Sequence, residues 1–530
     1  MARCTLKLRM LPYPWQSCKL NNTYLCAEKM QNTLIAHANK CLEALRADEE
    51  YNNLLKTLSK IKEEKNLRKK NNIPGNYLME VKESYVKDRL AAIRMEYGLS
   101  EYQFHSYVVK MKNESYKGVF NIHVAQKIAS RVWQGVAKVL FSDGKKLHFK
   151  RRGDIDTLEG KNNDTGIIFD KESLTVQFRD MIIPVKLRKK DWYAIEMLNK
   201  RICYCRIVRE PFENGYKYFV ELVLDGVPPK KHELGEGTTG IDQGTSTNVV
   251  VAENDAFITA LGNNMSVENN KTVKDYNNQI MHLSKKLERQ RRLNNPQNCN
   301  EDGTIKSGKL TWVRTKGYYD TLFKLKTVYR KKSAFVKQVH YKSINRTVES
   351  GNRFVTEKMD WKRFAKKSKK TEKSDKTIEV TNKNGETKTV RKNKRKMNFR
   401  KSLNNCSPGL YESLLKQKLK NYGKELEYVN MKTYRASQYN PETNEYVKSK
   451  LSDRHKVLWD KLIQRDLLSA FEMRFPMPDL KFIDIEKLQE NLDKFFELHD
   501  KAIQEIIDVP NLPSCIGIRE FKKIANNQSA

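Results

Sequence analysis

Short segments in which apolar and polar residues alternate constrain this fold more than any other feature of the sequence. Val220 and Leu222, for example, flank Glu221, as expected for a strand with one buried face. The β-rich segments cover residues 147–150, 166–169, 174–178, 182–187, 202–208 and 216–224. Turn-like clusters separate them. Such a succession of short strands predicts an antiparallel barrel or sandwich.

Helical spacing prevails on both sides of the β-rich stretch. Residues 26–62 repeat apolar side chains at helical intervals, and a second group begins near Tyr77. Residues 272–292 and 311–346 are predicted to form basic helices, and Pro228-Pro229 a linker. Because 530 residues exceed one ordinary core, we expect two to four domains in a multidomain α+β protein.

The charge of the chain points to a polyanionic partner. Lys and Arg total 101 against 64 Asp and Glu, a formal net charge of +37. Basic side chains that displace counterions from nucleic acid provide much of the binding free energy, so nucleic acid is the first candidate. A ribosome-associated or histone-like binder without catalysis fits the charge equally well.

Residues 362–401 form the most basic stretch, with 17 Lys or Arg and four Asp or Glu. A solvated loop and a phosphate-facing flap are equally good interpretations of such a run. Asn382-Lys383-Asn384-Gly385 within it predicts a hairpin turn.

The cysteines and the hydropathy pattern bear on the compartment. Nine cysteines lack a paired spacing, which is typical of a reducing compartment. The first 15 residues lack the apolar run of a signal peptide, and no apolar stretch of about 18 residues predicts a membrane span. We therefore expect a soluble intracellular protein without a membrane partner.

Three acidic residues are candidate metal ligands because of their surroundings. Asp242 lies between glycines after a β-rich start, Glu357 ends a strand-like run, and Asp466 lies early in a predicted helix. Phosphodiester cleavage needs an activated water and a stabilised leaving oxygen, which two Mg²⁺ ions about 4 Å apart provide. Hard cations prefer carboxylate oxygens. If these distant acids converge, they would suit that chemistry.

Several motifs together resemble the RuvC nuclease of TnpB, a transposon-encoded RNA-guided endonuclease, and of the compact type V CRISPR effectors derived from it. The matching segments, in chain order, are residues 240–244, 355–359, 435–438 and 465–470, and the β-rich residues 158–161 and 201–209 resemble the wedge-type barrel of the same group. The resemblance implies that Asp242, Glu357 and Asp466 hold two Mg²⁺ ions in an endodeoxyribonuclease site.

The same resemblance implies a domain plan. Residues 1–20 and 131–230 would form a β-barrel wedge, interrupted by a helical recognition lobe at 21–130. An RNase H-like RuvC domain would cover 231–436, with basic helical insertions at 272–346 and the basic loop at 362–401. Residues 437–460 would be a target-nucleic-acid-binding insertion, and 461–530 the end of the RuvC domain with a helical tail.

A guide RNA and target double-stranded DNA are the partners that the resemblance implies. Pairing with the guide would read the DNA sequence, next to a short flanking motif. The residues predicted to contact nucleic acid are Ser437, Gln438, Arg465, Lys285, Arg289, Arg291, Arg292 and Arg330. We expect a protein of the prokaryotic cytoplasm, associated with the nucleoid. The sequence favours a monomer but leaves a dimer open.

Two departures from the family affect these expectations. The family usually has a Cys₄ zinc ribbon before the last Asp, but no cysteine lies between Cys406 and Cys515, so we predict no zinc. Leu468 and Ser469 replace the usual Asn and Ala beside Asp466. A guided DNA-binding repressor that does not cleave is the main alternative, and an unguided RNA-binding protein is a third.

Overall fold

The computed structural model describes residues 2–142, 144–213, 215–366, 373–381, 387–393, 399–450 and 452–528. The chain divides into two compact units, Met1–Pro229 and Lys230–Ala530. The division follows the predicted linker Pro228-Pro229. Within the described residues, every helix is too short or too polar to cross a membrane.

The first unit joins helices to one antiparallel sheet. Its described elements are β1 (Arg3–Met10), α1 (Pro14–Ala47), α2 (Glu49–Lys70), α3 (Tyr77–Glu96), α4 (Glu101–Ser115), α5 (Ile122–Phe141), β2 (Thr157–Glu159), β3 (Ile167–Asp170), β4 (Thr175–Phe178), β5 (Met181–Lys186), α6 (Trp192–Leu198), β6 (Ile202–Phe212) and β7 (Gly215–Asp225). The strand order is β2-β6-β7-β1-β5-β4-β3. The helices α1 to α5 are thus inserted between β1 and β2, and they share one apolar core with the sheet.

Local chemistry explains why the helices differ from the predicted bounds. Pro14 at the first helical position starts α1, because its missing N–H needs no partner there. Asp48 is extended, and its side chain accepts a hydrogen bond from the Tyr51 N–H at 2.7 Å, which ends α1 and starts α2. The single helix predicted at 26–62 is therefore two helices. The predicted boundaries at 20/21 and 130/131 fall inside α1 and α5.

The strand predicted at residues 147–150 is wrong. This segment is irregular, because side chains of α1 take up its main-chain groups. Asn39 bonds both the N–H and the carbonyl of Leu147, each at 3.3 Å, and Asn32 bonds both groups of Lys150, at 2.8 and 3.0 Å. Main-chain groups satisfied in this way are not available for strand pairing. The other predicted β-rich segments correspond to β3 to β7.

The second unit is built on a mixed sheet. Its described elements are β8 (Thr238–Gln243), β9 (Thr247–Val251), β10 (Ala256–Ala260), α7 (Val273–Leu293), α8 (Lys316–Glu349), β11 (Arg353–Glu357), α9 (Trp361–Ala365), β12 (Lys373–Thr381), β13 (Thr387–Asn393), α10 (Arg400–Cys406), α11 (Pro408–Lys420), β14 (Leu426–Val429), β15 (Tyr439–Asn440), β16 (Glu445–Tyr446), β17 (His455–Leu458), β18 (Lys461–Gln464), α12 (Arg465–Glu472), α13 (Ile485–Glu490), α14 (Leu492–Ile507) and α15 (Ile518–Gln528). The five-stranded sheet has the order β10-β9-β8-β11-β14. Its first three strands are antiparallel, and β8, β11 and β14 are parallel.

Helices cover both faces of this sheet. Val249, Val251 and Val355 face a core that includes α12 and α14. Ile241, Val250 and Phe354 face the opposite core, with α8 and α11. This division follows the alternation of side chains along a strand, and it decides which face the acidic residues of β8 and β11 occupy.

The basic segments of the second unit agree in part with prediction. Thr272 and Asp275 form a capping box that starts α7, close to the predicted bound. The basic helix predicted from 311 begins at Lys316, where Thr315 caps α8. Strands β12 and β13 pair antiparallel, as a hairpin requires. The predicted turn at 382–385 and much of the basic loop at 362–401 lie outside the described residues.

Candidate functional site

Gly240 brings α12 into direct contact with β8. A Cβ at this position would lie 1.9 Å from the carbonyl oxygen of Ala470, so only glycine permits the approach. Asp242 follows two residues later, and its side chain points to the same face as Gly240, because side chains alternate along a strand. Asp242 therefore lies on the face of the sheet that α12 covers.

Glu357 occupies the adjacent strand. In the parallel pair β8–β11, Val355 is opposite Gly240 and Thr356 is opposite Ile241. One further residue brings Glu357 beside Asp242, on strands about 4.8 Å apart. Because Val355 packs in the core that contains α12, Glu357 also points to the α12 side.

Asp466 lies in the first turn of α12. It precedes Ala470 by one helical turn, and side chains four residues apart share a helix face. The start of α12 is fixed twice: the Gln464 side chain accepts from the Leu467 N–H at 2.6 Å, and the Gln464 N–H donates to Nε2 of His499 at 3.0 Å. Asp466 is thereby placed over the end of β8 that carries Asp242.

The three carboxylates are half-buried and close enough to influence one another. Burial raises the pKa of Asp242 well above its usual value, and the negative charges of Asp466 and Glu357 raise it further, while Arg465 lowers it. Burial also raises the pKa of Glu357. A pocket that destabilises its own carboxylate charges is a suitable place for a cation.

The side chains do not already form a metal-binding arrangement. Among the described residues, no group of three or more His, Cys, Asp or Glu side chains is placed so that it could hold a metal ion. The Asp466 carboxylate lies 3.5 Å from the guanidinium of Arg465. Binding of a cation to all three acids would therefore require side-chain rotation.

Glu472 is a fourth acidic residue near this pocket, and sequence analysis missed it. It ends α12 and has no solvent exposure. Burial raises its pKa well above the usual value, Lys456 opposes the shift, and Asp242 and Glu357 add to it. The one signal in the sequence is a charged residue that follows residues 467–471, a run in which only Ser469 is polar.

Arg465 makes contacts within the protein. Its Nη1 donates to the carbonyl oxygens of Lys450 and Asp453, at 3.2 and 2.8 Å, besides the ion pair with Asp466. These bonds attach the loop before β17 to the start of α12. The predicted phosphate contact of Arg465 stays a prediction.

Ser437 and Gln438 lie in a short 3₁₀ helix, Ala436–Gln438, that contacts α12. Ser437 is exposed, and Gln438 is half-buried. The predicted domain boundary at 436/437 falls inside this turn. The short helix that carries the two residues thus contacts the helix that carries Asp466, and their predicted role in nucleic-acid binding stays a prediction.

The predicted basic contacts on α7 and α8 differ in their surroundings. Arg291 lies over the ring of Trp312, with its guanidinium carbon 4.3 Å from the ring centre. Arg291 and Arg292 both pair with Glu288, at 2.8 and 3.0 Å. Lys285, Arg289 and Arg292 are exposed, and Arg291 and Arg330 are half-buried. Among these five, the three exposed cations on α7 are the better placed for a phosphate backbone.

Comparison with known proteins gives distant similarities. No protein-family model matches the chain, and no curated protein matches it. A cryo-EM structure of a Cas12f1–sgRNA–target DNA complex is 12% identical, covers 90% of this chain and 99% of its own, and has a TM-score of 0.37. A cryo-EM structure of a CRISPR-Cas12f ternary complex is 13% identical over 89% and 99%, with a TM-score of 0.20. Both are too distant to assign a function to this chain.

Proposed function

We propose that this protein is an RNA-guided DNA endonuclease that cleaves its target by two-metal-ion hydrolysis. One observation supports the proposal above all. Asp242, Glu357 and Asp466 come from three distant segments of the chain, yet β8, β11 and α12 bring them to one face of one sheet. The strand order, three antiparallel strands followed by two parallel ones, supports the RNase H-like arrangement that the sequence resemblance implies.

The donor atoms suit the proposed ion. All three side chains offer carboxylate oxygens, the ligands that Mg²⁺ prefers. Burial raises the pKa of Asp242, and the negative charges of Asp466 and Glu357 raise it further than the positive charge of Arg465 lowers it. When bound, a pair of Mg²⁺ ions would activate the attacking water and stabilise the leaving oxygen.

The residues of the chain position this chemistry. Asp242 and Glu357 are fixed by the hydrogen bonds of adjacent strands, so their relative position depends on the register of β8 and β11. Gln464 and His499 fix the start of the helix that carries Asp466. Arg465 partly neutralises Asp466 before a cation is bound. The main-chain positions of the three acids are thus fixed by strand pairing and helix capping, and their side chains would rotate to bind a cation.

A guide RNA and target double-stranded DNA are the proposed partners, as the sequence resemblance implies. The net charge of +37 is suited to holding several phosphate backbones at once. Pairing with the guide would supply sequence specificity, and the protein would read backbone and shape.

The test begins with the RNA that co-purifies with the full-length protein. That RNA is sequenced, and a DNA library carrying its complement beside randomised flanks is incubated with the complex, with Mg²⁺ or with EDTA. We expect cleavage of the matched DNA in Mg²⁺ only. Guide-dependent binding without cleavage would instead identify a guided repressor, and the absence of guide-dependent DNA binding would leave an unguided RNA-binding protein.

A further inference from the structure

His499 is a buried histidine on α14 that bonds to the start of the helix that carries Asp466. Its side chain is 1% exposed. Its Nε2 accepts a hydrogen bond from the main-chain N–H of Gln464, at 3.0 Å. Gln464 both ends β18 and caps α12, and Asp466 follows two residues later. The imidazole therefore holds the main chain at the point where it enters the first turn of α12.

Asp500 determines which nitrogen of this imidazole carries a proton. Its Oδ1 lies 2.9 Å from Nδ1 of His499. A carboxylate accepts hydrogen bonds and does not donate them, so Nδ1 is the protonated nitrogen. The hydrogen bond from His499 holds the pKa of Asp500 below its usual value, and Lys461 on β18 lowers it further. Nε2 thereby keeps its lone pair for the N–H of Gln464.

The rings beside His499 are apolar. Phe495 and Phe521, both buried, lie with their ring centres 6.0 and 5.7 Å from that of His499. Gln464 is itself without solvent exposure. A main-chain N–H that lost its acceptor here would be left without a partner in a buried place, where that loss costs most.

A second histidine close to Gln464 makes the opposite kind of bond. His455 on β17 is paired with Gln464 in the β17–β18 register. Its Nε2 lies 2.8 Å from the carbonyl oxygen of Gly517 and 3.9 Å from the carboxylate of Glu520 on α15. Because a carbonyl only accepts, Nε2 of His455 donates, and a second proton on its ring would keep this bond. The bond of His499 to Gln464, in contrast, needs a neutral ring.

We propose that His499 in its neutral form is a positioning residue for Asp466, and that acidic pH therefore slows cleavage by releasing the start of α12. This inference rests on the proposed function. A proton on Nε2 would turn the acceptor into a donor that faces the N–H of Gln464, so the bond would be lost. Histidine side chains change charge between about pH 5 and 8, which places this loss within an accessible range.

Hydrogen exchange and DNA cleavage, both measured from about pH 8 to about pH 5.5, test the proposal on the full-length protein. Exchange of residues 461–472 is measured in EDTA and corrected for its intrinsic pH dependence. Cleavage is measured in single turnovers of the assembled guide complex.

Three variants separate the bond from the charge. His499→Gln offers an amide oxygen in place of Nε2 but does not titrate, and His499→Phe keeps a ring but has no acceptor. His282→Gln is the matched control, because His282 is an exposed histidine of the same unit, on α7. Thermal unfolding at the higher pH shows that each variant is folded.

We expect the protection of residues 461–472 in the wild type to fall by about 10-fold towards acidic pH, the effect of losing one buried hydrogen bond. Protection should stay constant in His499→Gln and should be low at every pH in His499→Phe. The cleavage rate of the wild type relative to His499→Gln should fall by a similar factor, while His282→Gln keeps the wild-type profile. If His499→Phe does not fold, the wild type and His499→Gln carry the test.

The same pH dependence of exchange in the wild type and in His499→Gln would overturn this inference. So would a cleavage profile that His499→Gln leaves unchanged, because the bond would then not position Asp466. Wild-type complex that cleaves no DNA at any pH, although exchange responds to His499 as expected, would instead overturn the proposed function. The two failures are thus distinguishable.

Discussion

Two groups of half-buried carboxylates, one in each unit, show opposite electrostatics. In the first unit, Glu159 is 16% exposed and lies 3.1 Å from Lys127 and 2.9 Å from Arg206. Burial raises its pKa, but the hydrogen bonds and charges of these two residues outweigh burial and hold the pKa below its usual value. In the second unit, Asp466 is also 16% exposed, but the pKa of its neighbour Asp242 is raised.

The comparison separates a structural acid from a candidate ligand. Glu159 and Asp466 have the same exposed fraction, so the exposure of an acid alone does not mark a functional site. The difference is that the protein supplies cations around Glu159, whereas the negative charges of Asp466 and Glu357 add to burial in raising the pKa of Asp242. The second arrangement is stable only when protons or external cations compensate it.

The largest effect should come from neutralising the acids of the second unit. Asp242→Asn, Glu357→Gln and Asp466→Asn should each reduce guide-dependent DNA cleavage by at least about 100-fold, since several kcal/mol of charge stabilisation is lost. Binding of guide RNA and target DNA should persist. Cleavage rates measure the first effect and gel-shift affinities the second. Glu505→Gln is the control, because it removes a carboxylate of the same unit while Arg346 keeps Asp255 as its partner. Cleavage that survives all three changes would place the site elsewhere.

A pair of glycines extends the comparison to packing. Gly240→Ala should destabilise the second unit by about 3 kcal/mol, because its Cβ collides with main-chain atoms of α12. The cleavage rate should also fall, because the added Cβ displaces α12, and Asp466 lies on that helix. Gly160→Ala in the first unit is the matched control, because its Cβ would meet the nearest atom at 3.3 Å. Urea unfolding and cleavage rates measure the difference. Equal stability of the two variants would contradict the close approach.

Neutralising Glu159, the acid that is paired with cations of the protein, should affect stability and leave DNA cleavage unchanged. Glu159→Gln leaves Lys127 and Arg206 without their counter-charge, and we expect a loss of about 1–2 kcal/mol in the free energy of unfolding. Hydrogen exchange of β2 and β6 would report the loss locally. DNA cleavage rates should not change. A gain in stability would show that Glu159 is as uncompensated as the acids of the second unit.

The smallest effect is a pH dependence without metal. A carboxyl with a raised pKa binds its proton more tightly in the folded state, so its contribution to stability is lost as pH rises from the usual carboxyl range through the folded-state pKa. In EDTA, the wild type should therefore lose stability between about pH 4 and the folded-state value of Asp242. Asp242→Asn should lose about 1 kcal/mol less.

Unfolding in urea at several pH values, with EDTA and with Mg²⁺, checks this dependence. Mg²⁺ should flatten the profile of the wild type more than that of Asp242→Asn. Identical profiles for the two proteins in EDTA would mean that the repulsion at Asp242 is already compensated by groups of the protein.

The sequence predicted the elements in which one periodicity prevails. Residues 216–224 alternate and form β7, and the helical spacing of 272–292 corresponds to α7 with its capping box. The strand expected at 147–150 failed because Asn32 and Asn39, more than 100 positions away, take its main-chain hydrogen bonds. Long-range side-chain contacts of this kind leave no trace in local periodicity.

As with the fold, part of the candidate site is predictable from the sequence and part is not. Asp242, Glu357 and Asp466 were singled out from flanking glycines, strand ends and a family resemblance. Glu472 was not, because a lone acid at a helix end is usually solvated. Its burial depends on tertiary contacts on every side of α12. Nor does local sequence show that His499 fixes the start of α12.

The place of the long helices α7 and α8 in the fold determines where the chain can tolerate insertions. They are inserted between β10 and β11, and part of them packs in a small core of their own that includes Tyr276 and Phe335. The connection at 294–315 lies at the far end from the sheet, so its length does not enter the register of β8 against β11. Segments exchanged or lengthened there would alter reach towards a partner while the spacing of Asp242 and Glu357 is preserved. Residues 294–315 are thus a place where segments can be inserted without a change in the strand register that positions the acidic residues.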